Sequence, residues 1–369
     1  MLITLDQGSF LSALQAAQRA SSTQSTLPIL SGIKIQAEED GDLEIYGTDL
    51  EISVKSKCAA RVEKPGSTVL PGRLLVDIVK HMPPGAIEIK TEEKANNIEI
   101  RSEKSSFKIK GMQPEDFPAF PDVEAKQKIT VDVRQLTDML NGTAKAISKD
   151  ETRPVLTGAL LQEEDKSLLM VATDSYRLAV KTVPMRTKKT ENTSLLIPQR
   201  AIEEIQKLLT NESGKIDITS DENLMAIKTA NIELISRLIE GQFPKYKQLV
   251  PKETTTSAEV NKDELIAAVK RVALMAQKNM SIKVSTDSSS INIVATTQGV
   301  GEASERVKAK IKGEKMGEIA FNAQFLIDGL QAISEEKALF EFTGPVNPGL
   351  IKSIKKEDYL YLLMPIRIS

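Results

Sequence analysis

The sequence predicts an α+β fold made of three similar domains, each with two helices packed on antiparallel sheets. Three segments resemble one another, LITLDQGSFLSALQAAQRAS, KITVDVRQLTDMLNGTAKAIS and SAEVNKDELIAAVKRVALMA, and each reads as a strand followed by an amphipathic helix. Later landmarks keep steady offsets, since Pro28 and Pro154 are 126 residues apart and Asp49 and Asp174 are 125 apart. A unit of about 125 residues has the size of an independent domain, whereas solenoid repeats of about 20–50 residues cannot bury a core alone.

Within each copy the predicted elements follow one order. After the first helix, alternating apolar and polar residues separated by turn signals predict antiparallel strands and hairpins. In copy one a shorter helix starts at Pro71-Gly72 and ends before a Pro-Pro-Gly run, and its predicted apolar side carries Leu74, Leu75, Ile78 and Val79. The six predicted helices cover residues 9–20, 73–82, 132–148, 199–208, 261–277 and 322–333. With roughly eight strands a copy, the sheets could continue from one copy into the next and so cover their edges.

Domain boundaries are expected where proline, charge and polar runs interrupt these patterns. Such interruptions lie near residues 118–125 and 250–256. The predicted domains are therefore residues 1–122, 128–250 and 255–369.

Composition indicates a globular protein of a reducing, aqueous compartment. The 369 residues are 40% hydrophobic and include one cysteine, Cys58, which rules out an internal disulfide framework. The start MLITLDQG lacks the features of a signal peptide, and no apolar run approaches the length of a transmembrane helix. We therefore expect a cytoplasmic protein with no membrane partner and no cofactor.

Residues that carry catalysis are scarce. His81 is the single histidine, and no second His or Cys has metal-ligand spacing, which excludes zinc sites and the common Cys-His and Ser-His-Asp systems. His81 is expected on the surface at a helix end. The adjacent carboxylates Glu203 and Glu204 are predicted to be solvated. We expect no catalytic residue and no metal ligand.

Motifs along the whole chain carry a family resemblance. In order, LPILSGI, GTDLEISV, RPVLTGALL, ATDSYRLA, QFPKY and YLLMPIR resemble bacterial DNA polymerase III beta subunits, the sliding clamps. The resemblance implies DNA-clamp domains and a head-to-tail homodimer, in which six domains form a ring with helices around a central hole and sheets at the rim. It also implies that duplex DNA passes through the hole without sequence recognition. Such a clamp is a non-catalytic processivity factor that tethers the replicative polymerase.

A dimer contact between copy one and copy three of the partner chain follows from the resemblance. On copy one it implies Lys104, Phe107 and Ile109, and on copy three it implies Leu274, Met275, Glu302 and Glu305. These two sets are complementary, apolar against apolar and cation against carboxylate. Without the resemblance, Phe107 and Ile109 could instead point into the core of their own domain.

The resemblance also implies a hydrophobic pocket between copies two and three. It would accept short peptide motifs from the DNA polymerase III catalytic subunit, the clamp loader, other polymerases and repair proteins. The matching positions are Leu156, Thr173, Ser175, Tyr176, Arg177, Leu178, Pro244, Leu249, Leu362 and Met364. Aliphatic walls and a flexible methionine suit a groove that accepts many peptides. From the residues alone, Leu156, Leu178 and Leu362 could equally fill a core, and Tyr176 stands where relatives often have histidine.

Charge distribution bears on DNA contact. The predicted helices sum to +2 while the chain is −2, which leaves −4 for the remainder. This difference has the sign expected of a mildly basic channel inside an acidic rim, and weak phosphate contacts would suit a sliding ring. The candidate contacts are Arg19, Gln24, Arg73, Lys80, Lys145, Lys149, Arg200, Lys207, Lys270, Arg271 and Lys278. Gln24 stands where the family commonly has arginine, so a weaker contact is expected there.

Two other classes of protein remain open at this stage. An enzyme with a metal-bound water would need a tight Asp/Glu cluster, and no spaced motif displays one. A monomeric three-domain adaptor would bind peptides but no DNA, and it would sediment near 40 kDa.

Overall fold

The computed structural model describes residues 1–22, 27–39, 41–92, 97–185, 193–276, 280–355 and 358–366. These residues form six α-helices and 25 strands in antiparallel sheets. The strands and helices recur in three successive copies, as the repeat in the sequence predicts.

Copy one contains nine strands and two helices. They are β1 (Leu2–Asp6), α1 (Gln7–Ala20), β2 (Gly32–Ala37), β3 (Asp42–Thr48), β4 (Ile52–Ala59), β5 (Arg61–Lys64), β6 (Gly66–Pro71), α2 (Gly72–His81), β7 (Ala86–Glu92), β8 (Asn97–Arg101) and β9 (Ser106–Lys110).

Copy two repeats this order with eight strands. They and their helices are β10 (Gln127–Asp132), α3 (Val133–Thr143), β11 (Gly158–Glu164), β12 (Ser167–Thr173), β13 (Arg177–Pro184), β14 (Ser194–Pro198), α4 (Gln199–Leu209), β15 (Lys215–Ser220), β16 (Leu224–Lys228) and β17 (Ile232–Arg237).

Copy three also has eight strands. Its elements are β18 (Thr256–Asn261), α5 (Lys262–Ala273), β19 (Ser281–Thr286), β20 (Ser290–Thr297), β21 (Gly301–Gly313), β22 (Ile319–Asn322), α6 (Ala323–Gln331), β23 (Lys337–Phe342), β24 (Gly349–Ser353) and β25 (Tyr359–Leu363).

Polar side chains at the strand-to-helix junctions explain where several helices begin. Asp6 accepts a hydrogen bond from the backbone N–H of Ser9 at the start of α1. Asn261 and Asn322 cap α5 and α6 in the same way. Because such a cap satisfies backbone donors that have no partner within the helix, it fixes the residue at which each strand gives way to a helix.

By residue contacts the chain divides into two compact units. Unit 1 is Met1–Val133 with Glu203–Leu238, and unit 2 is Arg134–Ile202 with Ile239–Ser369. Unit 1 holds a five-stranded sheet, β5-β1-β7-β8-β9, and an eight-stranded sheet, β10-β15-β16-β17-β4-β3-β2-β6. Unit 2 holds a twelve-stranded sheet, β14-β11-β12-β13-β25-β24-β23-β18-β21-β20-β19-β22.

The division into units follows the sheets rather than the three copies. In unit 1, β4 of copy one pairs with β17 of copy two, with Ile52 opposite Ser236. In unit 2, β13 of copy two pairs with β25 of copy three, with Leu178 opposite Leu362. The prediction that sheets continue from copy to copy is confirmed, and the limits of the three domains stay a prediction.

Helix packing on the sheet builds the core of unit 1. Phe10 and Leu14 of α1 are fully buried against sheet residues such as Ile33. At Gly47 of β3 a Cβ atom would lie 1.9 Å from the carbonyl oxygen of Ala17. Only glycine permits this close approach of α1 to the strand.

Aromatic residues of copy three fill part of the core of unit 2. The rings of Phe340 and Phe342 lie 4.3 Å apart, and Phe321 lies 5.9 Å from Phe340. Gly329 of α6 faces the ring of Tyr361, which a Cβ atom would approach to 2.5 Å. The helix therefore packs directly on the aromatic face of β25.

Three local predictions were wrong. The helix predicted at 132–148 ends at Thr143 and continues as a 3-10 turn at Ala144–Ala146. Leu74 is 46% exposed, because the buried face of α2 carries Leu75 and Val76 instead. Glu204 is buried rather than solvated, because it lies between two cations described below.

Candidate functional site

A strained turn joins β12 to β13 in the segment that carries the family resemblance. One carboxylate oxygen of Asp174 accepts hydrogen bonds from the backbone N–H groups of Tyr176 and Arg177, at 2.9 and 3.0 Å. The Thr173 hydroxyl donates to the carbonyl of Arg177 at 2.6 Å. Ser175 adopts a φ of +77°, which is costly for a residue other than glycine. These bonds hold the turn so that Tyr176, at its tip, is 64% exposed.

Below this turn lies an apolar cluster, which we call the floor. Leu178 and Leu362 lie opposite each other on paired strands and are almost fully buried, with Leu160, Val171, Leu196, Tyr246 and Leu350 around them. Leu156 and Thr173 are buried as well. Leu156, Leu178 and Leu362 are therefore core residues, which is the alternative that the sequence analysis left open for them.

Exposed side chains border the floor, and we call them the rim. The backbone N–H of Met364 donates to the carbonyl of Tyr176 at 2.9 Å, which brings two exposed apolar side chains together. Pro244 and Leu249 are exposed in a segment whose Tyr246 belongs to the floor. Of the implied pocket residues, Leu178 and Leu362 thus belong to the floor, and Tyr176, Pro244, Leu249 and Met364 belong to the rim. Ser175 is exposed in the turn itself.

Arg177 lies beneath the turn, not on the surface. Its Nε donates to Asp174 at 3.0 Å, and one terminal nitrogen donates to Asp328 at 2.6 Å. The guanidinium carbon lies 4.1 Å from the centroid of the Phe325 ring. Burial raises the pKa of Tyr361, whose hydroxyl stays protonated and donates to the Phe325 carbonyl at 3.0 Å. Arg177 therefore links Asp174 of the turn to Asp328 and Phe325 of α6.

Asp328 of α6 has two further partners. Its other oxygen accepts from Gln324 at 2.9 Å and lies 3.4 Å from the ammonium of Lys145. Lys145 also donates to Gln331 at 2.6 Å. A candidate DNA contact and the arginine below the turn thus share one buried carboxylate.

The other cations proposed to contact DNA are mostly exposed, and some already have acidic partners. Arg19 lies 2.9 Å and Lys207 lies 2.8 Å from the buried carboxylate of Glu204. Arg271 donates two hydrogen bonds to Glu305, at 2.6 and 3.0 Å. Exposed positions are Arg73, Lys80, Lys149, Arg200 and Lys270. Gln24 and Lys278 lie outside the described residues. Arg19, Lys207 and Arg271 are therefore already paired with carboxylates of their own chain.

Of the implied dimer residues of copy one, Phe107 and Ile109 lie on a strand at a sheet edge, and Lys104 lies in the turn before it. Within the described chain, β9 pairs with one strand, β8, with Phe107 opposite Ile100 and Ile109 opposite Ile98. Ile109 packs against the core of unit 1, whereas Phe107 is 38% exposed. Lys104 is exposed. On this edge strand, Ile109 therefore contributes to the core of unit 1, while Phe107 leaves an apolar side chain partly exposed to solvent.

The implied dimer residues of copy three lie beside a strand that is half open. Residues 301–308 of β21 pair with β20, whereas residues 309–313 pair with β18. Among the described residues, the 301–308 segment has no strand on its other side. Nearby, Leu274 is 77% exposed, Met275 is half-buried and Glu302 is exposed.

Among the described residues, no three His, Cys, Asp or Glu side chains form a group that could hold a metal ion. His81 is exposed at the end of α2, and its Nδ1 lies 2.7 Å from the carbonyl oxygen of Asp77. Burial raises the pKa of the Cys58 thiol to about 11, which keeps it protonated at neutral pH. None of the helices described has the length and apolar content of a membrane span.

Sequence reasoning missed the polar residues that hold the turn. Asp174 belongs to a repeated Thr-Asp pair, and its counterpart Asp49 caps the same kind of turn in copy one. The repeated Thr-Asp pair was the signal in the sequence that could have identified Asp174 as a residue that caps a turn. Arg153 donates to the Ser175 hydroxyl at 2.7 Å, and Asp328 lies 151 positions from Arg177. No local pattern indicates either of these contacts.

Three domain families match the chain in succession. They are described as the N-terminal domain of the DNA polymerase III beta subunit at residues 1–121, its central domain at 130–245 and its C-terminal domain at 247–367. Together they cover nearly the whole sequence.

Curated relatives and solved structures agree with these matches. A beta sliding clamp of Staphylococcus epidermidis is 33% identical, with 100% of this chain and 99% of the relative covered. A DNA polymerase sliding clamp from Bacillus subtilis has a TM-score of 0.95 at 30% identity, with both chains fully covered. A sliding clamp from Pseudomonas aeruginosa, solved bound to griselimycin, has a TM-score of 0.95 at 26% identity, again with full coverage.

Proposed function

The chain belongs to the DNA polymerase III beta subunit family and serves DNA replication as a sliding clamp, and we propose that two copies close around duplex DNA. One observation carries the ring proposal: each chain offers two open strand edges of complementary character. β9 presents Phe107, Lys108 and Lys110, and the open half of β21 lies near Leu274 and carries Glu302. Pairing β9 of one chain with β21 of the next would continue both sheets and cover both edges.

A closed dimer uses this contact twice. Copy one of each chain meets copy three of the other, so each β9 edge is paired with a β21 edge and the contact closes after two chains. Six clamp domains then surround one channel. The ring tethers the polymerase without catalysing a reaction, and it works in the cytoplasm.

DNA contact in this proposal is electrostatic and weak. The candidate cations lie on or next to helices, and several are already held by carboxylates of their own chain. Such contacts carry no base information, and each one can be exchanged for the next phosphate as the ring moves. Retention depends on enclosure rather than on affinity.

Topological retention tests enclosure directly. Clamp loaded on nicked circular DNA should remain bound in about 1 M salt, where phosphate contacts are screened, and should dissociate once a restriction enzyme linearises the circle. Gel filtration of the labelled clamp with the DNA measures the fraction that stays bound before and after linearisation. Equal loss from circular and linear DNA would contradict encirclement, and a stable species of 40.5 kDa in sedimentation would favour the monomeric adaptor.

We also propose that floor and rim form the docking site for short apolar peptide motifs. The partners are the polymerase catalytic subunit, the clamp loader, other polymerases and repair proteins. A preformed apolar floor beneath exposed side chains such as Tyr176 and Met364 suits this role, because the rim can fold over different ligands. The Pseudomonas relative bound to griselimycin supplies a ready probe.

Removing the rim side chains should weaken peptide binding without unfolding the chain. The double variant Tyr176→Ala and Met364→Ala should raise the Kd of a polymerase tail peptide by about 10-fold or more, since each side chain contributes over 1 kcal/mol when buried. Fluorescence anisotropy measures the Kd, and griselimycin should compete. Val300→Ala, which removes an exposed apolar side chain elsewhere, is the matched control. Equal affinity in both variants would refute the rim assignment.

A further inference from the structure

One face of β21 carries a row of cations that the clamp function does not use. The strand alternates cleanly, with its even-numbered residues exposed and its odd-numbered residues mostly half-buried or buried. The even-numbered positions from 306 to 312 are Arg306, Lys308, Lys310 and Lys312. Because alternate residues of a strand are about 6.6–6.8 Å apart, four cations lie in line over about 20 Å.

Acidic neighbours compensate this row only in part. Across the strand pairs, Lys308 lies opposite Ser290 and Lys312 opposite Ser257. Lys310 lies opposite Glu259, whose carboxylate accepts from Lys337 at 2.9 Å. Within the described part of the chain, no carboxylate lies within ion-pair distance of the lysines at 308, 310 and 312.

Arg306 completes the row at one end. Its Nε donates to Asn292 at 3.1 Å and lies 3.7 Å from Asp287. The pKa of Glu259 is lowered mainly by the hydrogen bond from Lys337 and further by the positive charges of Lys310 and Lys312. An excess of positive charge therefore remains on this face, although the charge distribution in the sequence has the sign of an acidic outer surface.

We propose that this basic row docks an extended acidic segment of a partner protein, with carboxylates at alternate positions. An extended peptide places alternate side chains at the same spacing as the lysines of β21, so each carboxylate can meet one ammonium. A single nucleic-acid strand fits less well, because such sites combine cations with aromatic stacking surfaces. The exposed faces of β18, β20 and β21 carry Ser, Thr, Asn, Val, Glu, Lys and Arg here, and no aromatic residue.

A charge-matched pair of variants tests the proposal. The row variant combines Lys308→Gln, Lys310→Gln and Lys312→Gln. The control variant combines Lys55→Gln, Lys57→Gln and Lys128→Gln, lysines of unit 1 that pair with carboxylates. Both variants lose three positive charges, so a difference between them reports position rather than net charge.

The probe is a labelled peptide of alternating Glu and Ser, with a Gln-for-Glu peptide and labelled oligo(dT) beside it. At about 50 mM salt the row variant should bind the Glu peptide at least 10-fold more weakly than the unaltered protein, and the control should stay within about twofold. Equal weakening in both variants, or no binding by the unaltered protein, would overturn the proposal. Tighter binding of oligo(dT), lost in the row variant, would identify a nucleic-acid surface instead. These outcomes do not depend on ring closure or on the rim.

Discussion

Phe107→Asp combined with Leu274→Asp is expected to turn the clamp into a monomer. Both side chains are exposed in the single chain, so their replacement should leave folding intact. In the proposed dimer each becomes a buried apolar contact, and Leu274→Asp adds a negative charge near Glu302. Loss of such central contacts costs about 2 kcal/mol or more each, which corresponds to at least about a 30-fold weaker dimer per site. Sedimentation velocity should show 40.5 kDa in place of twice that mass.

The Phe107→Asp, Leu274→Asp variant also shows whether retention on DNA and binding of peptides depend on different parts of the protein. As a monomer it cannot surround DNA, so it should wash off circular and linear DNA alike. Its affinity for a tail peptide should be unchanged, because floor and rim lie within unit 2 of one chain. Val346→Asp is the control, since Val346 is 81% exposed and lies on neither edge strand. A dimer that survives the double variant would show that the chains meet elsewhere.

Local sequence rules predicted the repeat and most of its elements. Alternation marked the strands, and Pro71-Gly72 marked where α2 begins, because both signals act over a few neighbouring residues. Where the prediction failed, distant residues decided the outcome. Glu204 is buried because Arg19, 185 positions away, supplies a counter-charge. No pattern within a helix window could show that contact.

The candidate site was predicted less completely than the fold. The alternation of apolar and polar residues along a strand does not distinguish a core position from a pocket position. Only the resemblance indicated Leu178 and Leu362 as pocket residues. The structure places both side chains in a shared core and leaves the side chains of the rim exposed. Asp328 escaped notice because its role depends on the pairing of β13 with β25, which brings copy two against copy three.

Arg177→Met should be the most destabilising single change at the site. It leaves Asp328 buried with Lys145 and Gln324 as its remaining partners, and it removes the Nε donor from Asp174. Removing one member of a buried ion pair costs about 3–5 kcal/mol, most of it from the charge left behind. Urea unfolding, followed by hydrogen exchange of β13 amides in unit 2, measures the loss. Arg61→Met is the control, because Arg61 and its partner Glu63 are both exposed in unit 1 and water can replace the contact.

A second substitution distinguishes a structural role from a positioning role. Arg177→Met with Asp328→Leu removes both buried charges, so it should recover much of the lost stability. Peptide affinity should not recover with it, because Asp174 still lacks the guanidinium that orients the turn bearing Tyr176. A stable double variant with full peptide affinity would show that the turn holds itself through its backbone hydrogen bonds. A stable variant with weakened affinity would identify Arg177 as the residue that positions the rim.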